Sequence, residues 1–178
     1  KDSASVETQI EDVRRINADL DTTALYAASG SFDVQAQAGK TLADFHREYQ
    51  QANKEVAQCA DAVAAAASEG DSNALFDEAA KLSKALGTLA ESSKCVASML
   101  TDHNGQQAVI GATRTVGLSA QQLLIAANAG VQEPGKHEES LSRSVRSLKD
   151  SVDQSVQVVE KQTREVVATM RALDGSKS

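Results

Sequence analysis

Pro134 is the only proline in the 178 residues. Proline stops a helix because it has no N–H to donate and its ring collides with the preceding turn. A chain with a single proline can therefore run helical almost everywhere. About one residue in six is alanine, the strongest helix former, and the aromatics are two tyrosines, three phenylalanines and no tryptophan. An all-β fold needs turn residues every 8–12 positions and many β-branched or aromatic side chains. Disorder needs few apolar residues and a high net charge. With 41% hydrophobic residues, neither description fits.

Apolar spacing then predicts the elements. Val6, Ile10, Val13, Ile16, Leu20, Ala24 and Ala27 recur at steps of three or four, which is helical periodicity. Ser3 or Ser5 can cap the start of this first helix. Thr41 followed by Asp44 resembles a capping box with aspartate in place of glutamate. It opens a stripe of Leu42, Phe45, Tyr49, Ala52, Val56, Cys59, Val63 and Ala66. Asp71 or Ser72 caps a third helix, striped by Leu75, Ala79, Leu82, Leu86, Leu89, Ser93, Val96 and Leu100. A turn at residues 102–105 and a stop at Asn128-Ala129-Gly130 bound the fourth. The fifth carries Leu141, Val145, Leu148, Val152, Val156, Val159, Thr163, Val166, Met170 and Leu173. The expected fold is all-α: one elongated antiparallel five-helix bundle over 1–178, with helices at about 3–29, 41–69, 72–101, 106–129 and 138–173. Short turns make consecutive helices antiparallel neighbours, and the longest linker is residues 30–40.

Charge and chemistry narrow the function. The net charge is −7, a poor match to nucleic acid, which calls for a basic surface. The charge is uneven: residues 1–105 carry 9 basic and 17 acidic side chains, residues 106–178 carry 9 and 8. No run of 18 apolar residues suggests a membrane span. The opening KDSASVETQ has neither an apolar signal core nor an initiator methionine, and is read as part of a longer protein. Cys59 and Cys95 stand in alanine-rich stretches without a CxxC and are read as buried reduced thiols. His46, His103 and His137 form no Glu-x-x-His or HExxH pattern, and no Gly-rich phosphate loop or GxSxG elbow occurs. The acidic pairs Glu11-Asp12, Asp77-Glu78 and Glu138-Glu139 fit helix starts and solvated faces. No catalytic residue, metal site or cofactor is expected.

The fourth helix stands apart. Its sequence, QQAVIGATRTVGLSAQQLLIAANAG, has one charged side chain, Arg114, and two interior glycines, Gly111 and Gly117. Each such glycine costs about 1 kcal/mol relative to alanine. A helix apolar on most sides is a buried one, so it is expected at the centre of the bundle. If released, it would offer a long apolar face to another protein.

Two stretches resemble the talin rod. Ala18 to Phe32, ADLDTTALYAASGSF, followed by Thr41 to Val56, TLADFHREYQQANKEV, resemble the opening helices of the late rod bundle that carries talin's second integrin-binding site. The fourth helix resembles the vinculin-binding-site pattern through Val109, Ala112, Thr113, Val116, Gly117, Ala120, Leu123, Leu124 and Ala127. The pattern prefers alanine at Thr113 and Gly117 and valine at Ala120. These departures weaken vinculin packing by about 1 kcal/mol each. The resemblance also implies contact with an acidic integrin β tail through two basic residues one turn apart. Arg114 matches the first, and Leu118 stands at the second.

The resemblance implies a non-catalytic adaptor in the cytoplasm, at the cell cortex and adhesion sites. It would link integrin-type receptors to actin, with other adhesion adaptors as further partners. Its vinculin-type face would be Val109, Ala112, Val116, Ala120, Leu123, Leu124 and Ala127, exposed under tension, and its integrin contact Arg114. The isolated segment is expected to be monomeric, without membrane insertion. Two rivals are a passive rod spacer with no ligand of its own and a lipid-exchangeable bundle. The latter calls for basic faces flanking the apolar stripe, which the acidic first three helices lack.

Overall fold

Local chemistry sets the helix ends. The computed structural model describes residues 2–35 and 38–177, with side chains placed for 6–35 and 38–175. Among these there are five helices and no strand: α1 (Asp2–Ala28), α2 (Leu42–Ser68), α3 (Ser72–Ser98), α4 (His103–Gln132) and α5 (Glu138–Lys177). At 1.5 Å per residue, the 27-residue helices are about 40 Å long and the 40-residue α5 about 60 Å. The Ser3 and Ser5 side chains, expected as caps, lie outside the described residues.

α2 begins with the full reciprocal box. The Asp44 N–H donates to the Thr41 hydroxyl at 3.2 Å, and the Thr41 N–H donates to the Asp44 carboxylate at 2.9 Å. Those hydrogen bonds hold the Asp44 carboxyl below its usual value. α2 ends in a left-handed glycine: Gly70 has φ +70°, its N–H donates to Ala67 O, and the Asp71 N–H donates to Ala66 O. This closure satisfies carbonyls the helix leaves open. α1 closes the same way at Gly30, with Ser31 N–H donating to Tyr26 O at 2.8 Å. Asp71 caps α3 by accepting from the Ala74 N–H at 3.0 Å.

The fourth helix differs from expectation at both ends. Asp102 accepts from the Asn104 N–H at 3.1 Å, so α4 starts at His103 and the expected turn is its cap. Gly130 does not stop it. A Cβ there would lie 3.2 Å from Leu141 Cδ1, so the glycine serves close packing of α5 instead. The stop falls at Glu133, φ −133° and ψ 69°, because the residue before Pro134 is pushed out of the helical region.

α2 and α3, α3 and α4, and α4 and α5 pack as sequence neighbours, α5 closes back on α2, and α4 also meets α2. The expectation that all consecutive helices pack together fails once: α1 packs on α3 and α4 rather than on α2. The linker from residue 29 to 41 permits that jump. α4 is thus the one helix packed against each of the other four.

The contiguous core runs from Phe45, Tyr49 and Val56 of α2 through Leu75, Leu82 and Leu89 of α3 to Leu123, Leu148 and Val159. Two stripes need correcting. In α1, Asn17 and Thr23 are buried where Ile16 and Ala24 are only half-buried. In α5, Met170 is 61% and Leu173 57% exposed, because the helix outruns the bundle. Cys95 is buried and Cys59 half-buried, and neither forms a disulfide.

Candidate functional site

Helix α4 presents a different chemistry on each side. Its inner face holds Val109, Val116, Ala120, Leu123, Leu124 and Ala127, all fully buried, with Ala112 half-buried at the edge. Every residue expected to form the vinculin-type face therefore lies on α4, and all but Ala112 are sealed inside the bundle.

Thr113 sits among them. Its hydroxyl shares a 2.8 Å hydrogen bond with the Tyr49 hydroxyl of α2 and donates to Val109 O at 2.9 Å. Tyr49 is itself buried, and burial pushes its hydroxyl above the ordinary value of 10.0. Below it, Asn53 donates to Ser155 Oγ at 2.9 Å. Toward α5, Ser119 and Ser151 share a 2.9 Å hydrogen bond. These small hydroxyls bring α2, α4 and α5 into register without bulky side chains between them.

The side facing α1 is polar and close. Asn17 Nδ2 donates to Gly117 O at 3.1 Å and to Gln121 Oε1 at 2.9 Å. A Cβ built on Gly117 would lie 2.0 Å from Asn17 Oδ1. Glycine at 117 is therefore what lets the Asn17 amide lie on the α4 backbone. Gly111 has no such explanation, since nothing lies within 4 Å of a Cβ placed there. Arg114, 40% exposed at its side chain, pairs with Asp21 of α1 through Nη2 at 2.7 Å and Nε at 2.8 Å. The expected integrin contact is thus held by an aspartate of the ADLDTT stretch. On the outer side, Leu118 is 51% and Ile125 40% exposed.

Sequence reading missed Asn17, Tyr49 and Asn53 as site-shaping residues. One signal was available: an asparagine on the apolar row of α1, matched by a glycine inside α4. The acidic pairs behave as solvated faces. Glu11 and Asp12 pair with Arg14 and Arg15, Glu78 with Lys81, and Glu139 with Arg143. Among the described residues no group of three or more His, Cys, Asp or Glu is placed to hold a metal ion. No described helix is long and apolar enough to cross a membrane.

Comparison with known proteins places this geometry. The family profile described as "Talin 1-like, rod segment domain" matches residues 3–167. Talin-B of Dictyostelium discoideum is 24% identical over 163 residues, covering 89% of this chain and 6% of that protein. Talin-A of the same organism is 23% identical over 155 residues, covering 82% and 6%. The chain thus spans about one seventeenth of the length of these relatives.

Proposed function

The chain belongs to the talin rod segment family, and on that premise we propose that it is an adaptor module whose α4 is a masked partner-binding helix. The family is structural and non-enzymatic, so its work is done by surfaces. The observation that carries the proposal is the burial of the α4 stripe. A vinculin-type partner would pack on Val109, Ala112, Val116, Ala120, Leu123, Leu124 and Ala127, and the folded bundle occupies that same face. Both demands cannot be met at once. With a bundle stability of roughly 5–10 kcal/mol, a ligand that needs the open state loses a factor of about 10⁴ to 10⁷ in apparent affinity. Tension along the chain favours the longer, opened state and removes that penalty. Contacts local in sequence let helical bundles refold quickly when the load drops.

Arg114 is the proposed contact for an acidic integrin β tail. Because Asp21 already holds its guanidinium, a tail carboxylate competes with Asp21 for the same fork. The proposed setting is the cytoplasmic cortex at adhesion sites, with actin linkage through the longer protein. A vinculin head domain titrated with an α4 peptide and with the whole chain tests the masking. The peptide is expected to bind at least 10³-fold more tightly, a conservative bound on the opening penalty; equal affinities would sink the idea. For the integrin contact, Asp21→Asn is expected to strengthen and Arg114→Glu to abolish binding of a β-tail peptide. Binding indifferent to both would exclude charge pairing here.

A further inference from the structure

We infer that α1 is a separately releasable cover on a self-sufficient four-helix bundle of α2–α5, and that its release leaves the proposed partner face of α4 masked. The release of α1 stands on packing alone, and the masking of the α4 face rests on the function proposed above.

The ring α2–α3–α4–α5 closes on itself, since α5 packs back on α2. α1 touches this ring on α3 and α4, and hangs from it by the linker after Gly30. It can therefore leave without parting any other pair of helices. Val6, Ile10 and Val13 of α1 join the contiguous core. Further along, Leu20 and Ala27 are buried yet lie outside that core, as do Ala90 and Ala97 of α3 and Ile110 of α4. The later half of α1 thus rests on a thin layer of its own, and Leu25 beside it is 72% exposed.

Polar clasps fix this half in register. Asn17 bonds the Gly117 carbonyl and Gln121, Asp21 pairs with Arg114, and Asp19 pairs with Lys94 of α3. Two of the three are ion pairs with an exposed partner, worth little in water. Asn17 is the exception, being only 6% exposed. It makes two hydrogen bonds that no apolar side chain can replace, and it needs the missing Cβ at 117.

The faces of α4 are distinct in direction. At 100° per residue, Ile110, Arg114, Gly117 and Gln121 form the row toward α1. Val109, Thr113, Val116, Ala120, Leu123 and Ala127 form a row about a quarter-turn or more away, with Leu124 between the two rows. Thr113 is tied to Tyr49 of α2, and Ser119, on the opposite side of that inner row, to Ser151 of α5. Lifting α1 uncovers the first row and leaves the second inside the four-helix ring. The bundle therefore opens in two stages, and the first exposes only the seat of α1.

Native-state hydrogen exchange on the full chain, in low denaturant, tests this. Amides of α1 are expected to exchange through an opening that those of α2, α3 and α5 do not share. Asn17→Ala weakens the closed chain against every opening and is expected to speed exchange of α1 and of α2, α3 and α5 alike by about tenfold, the loss expected for a buried hydrogen-bonded amide, whereas Tyr49→Phe, inside the four-helix ring, is expected to speed α2, α3 and α5 about fivefold and leave α1 unchanged. Arg114→Gln, at an exposed pair, keeps the fold in any event and is expected to speed α1 by about twofold. Identical exchange of α1 and α2–α5, shifted together by Tyr49→Phe, would overturn the inference. Vinculin head binding to the Asn17→Ala chain is read in parallel and is expected to rise by no more than the tenfold by which the closed chain is weakened. A rise well beyond that tenfold would refute the second stage. No binding to an α4 peptide either would count against the proposed partner and leave the exchange result standing.

Discussion

The seam under α1 and the core of α2–α5 join helices of similar length with different materials. The core uses fully buried leucines and valines around one buried tyrosine. Past Val13, the seam uses an asparagine, a glycine, two ion pairs and a thin apolar layer of Leu20, Ala27, Ala90, Ala97 and Ile110. Apolar burial acts without direction and scales with area. A hydrogen bond to a backbone carbonyl fixes register and contributes only about 1 kcal/mol net. The core is therefore built to hold, while the seam is built to align.

The largest effect should come from the core. Leu123→Ala is expected to cost about 2–5 kcal/mol in urea unfolding, because it opens a cavity among neighbours that cannot fully collapse. At the exposed edge of α1, Leu25→Ala is expected to stay within about 0.5 kcal/mol. Comparable costs would erase the distinction.

Next comes the Asn17–Gly117 contact. Gly117→Ala places a methyl against Asn17 Oδ1 and is expected to destabilise by about 1–3 kcal/mol. In an Asn17→Ala background the same change should stabilise by about 0.5–1 kcal/mol, since alanine is the better helix former. A double-mutant cycle reads this reversal directly. Additive costs would mean that the glycine is not there for Asn17.

Within the core, Tyr49→Phe is expected to cost about 1 kcal/mol by removing the hydroxyl that Thr113 bonds. It should also change the response to alkali. Burial raises the Tyr49 hydroxyl above 10.0 in the folded chain. As pH climbs past about 10, the unfolded chain loses this proton first. Stability is whole below that pH and falls above it. Urea midpoints at pH 9 and 11 should diverge less in the variant than in the wild type. The smallest effect is at the rim: Asp21→Asn is expected to change stability by under about 0.5 kcal/mol, as exposed pairs do.

The five helices were legible because apolar residues recur at steps of three or four, and because Thr41, Asp44 and Asp71 carry cap chemistry. The central place of α4 followed from its single charge. What sequence could not show was the route from α1 to α3 and α4, because a linker fixes reach but not direction. Gly130 reads as a stop in isolation, yet it stays helical to make room for Leu141. Met170 and Leu173 continue the apolar stripe yet stay more than half exposed, which periodicity alone cannot report. Gly117 read as a departure from a binding pattern; its cause sits a hundred residues away, on Asn17.

Stretching single molecules of the full chain between its ends, with and without vinculin head domain in solution, tests the central claim most directly. The masked-helix account predicts unfolding at the same force in both conditions. It also predicts refolding on release that is prompt alone and blocked when the head domain is present during the extended interval. Prompt refolding in both conditions would contradict it and leave the segment a passive spacer.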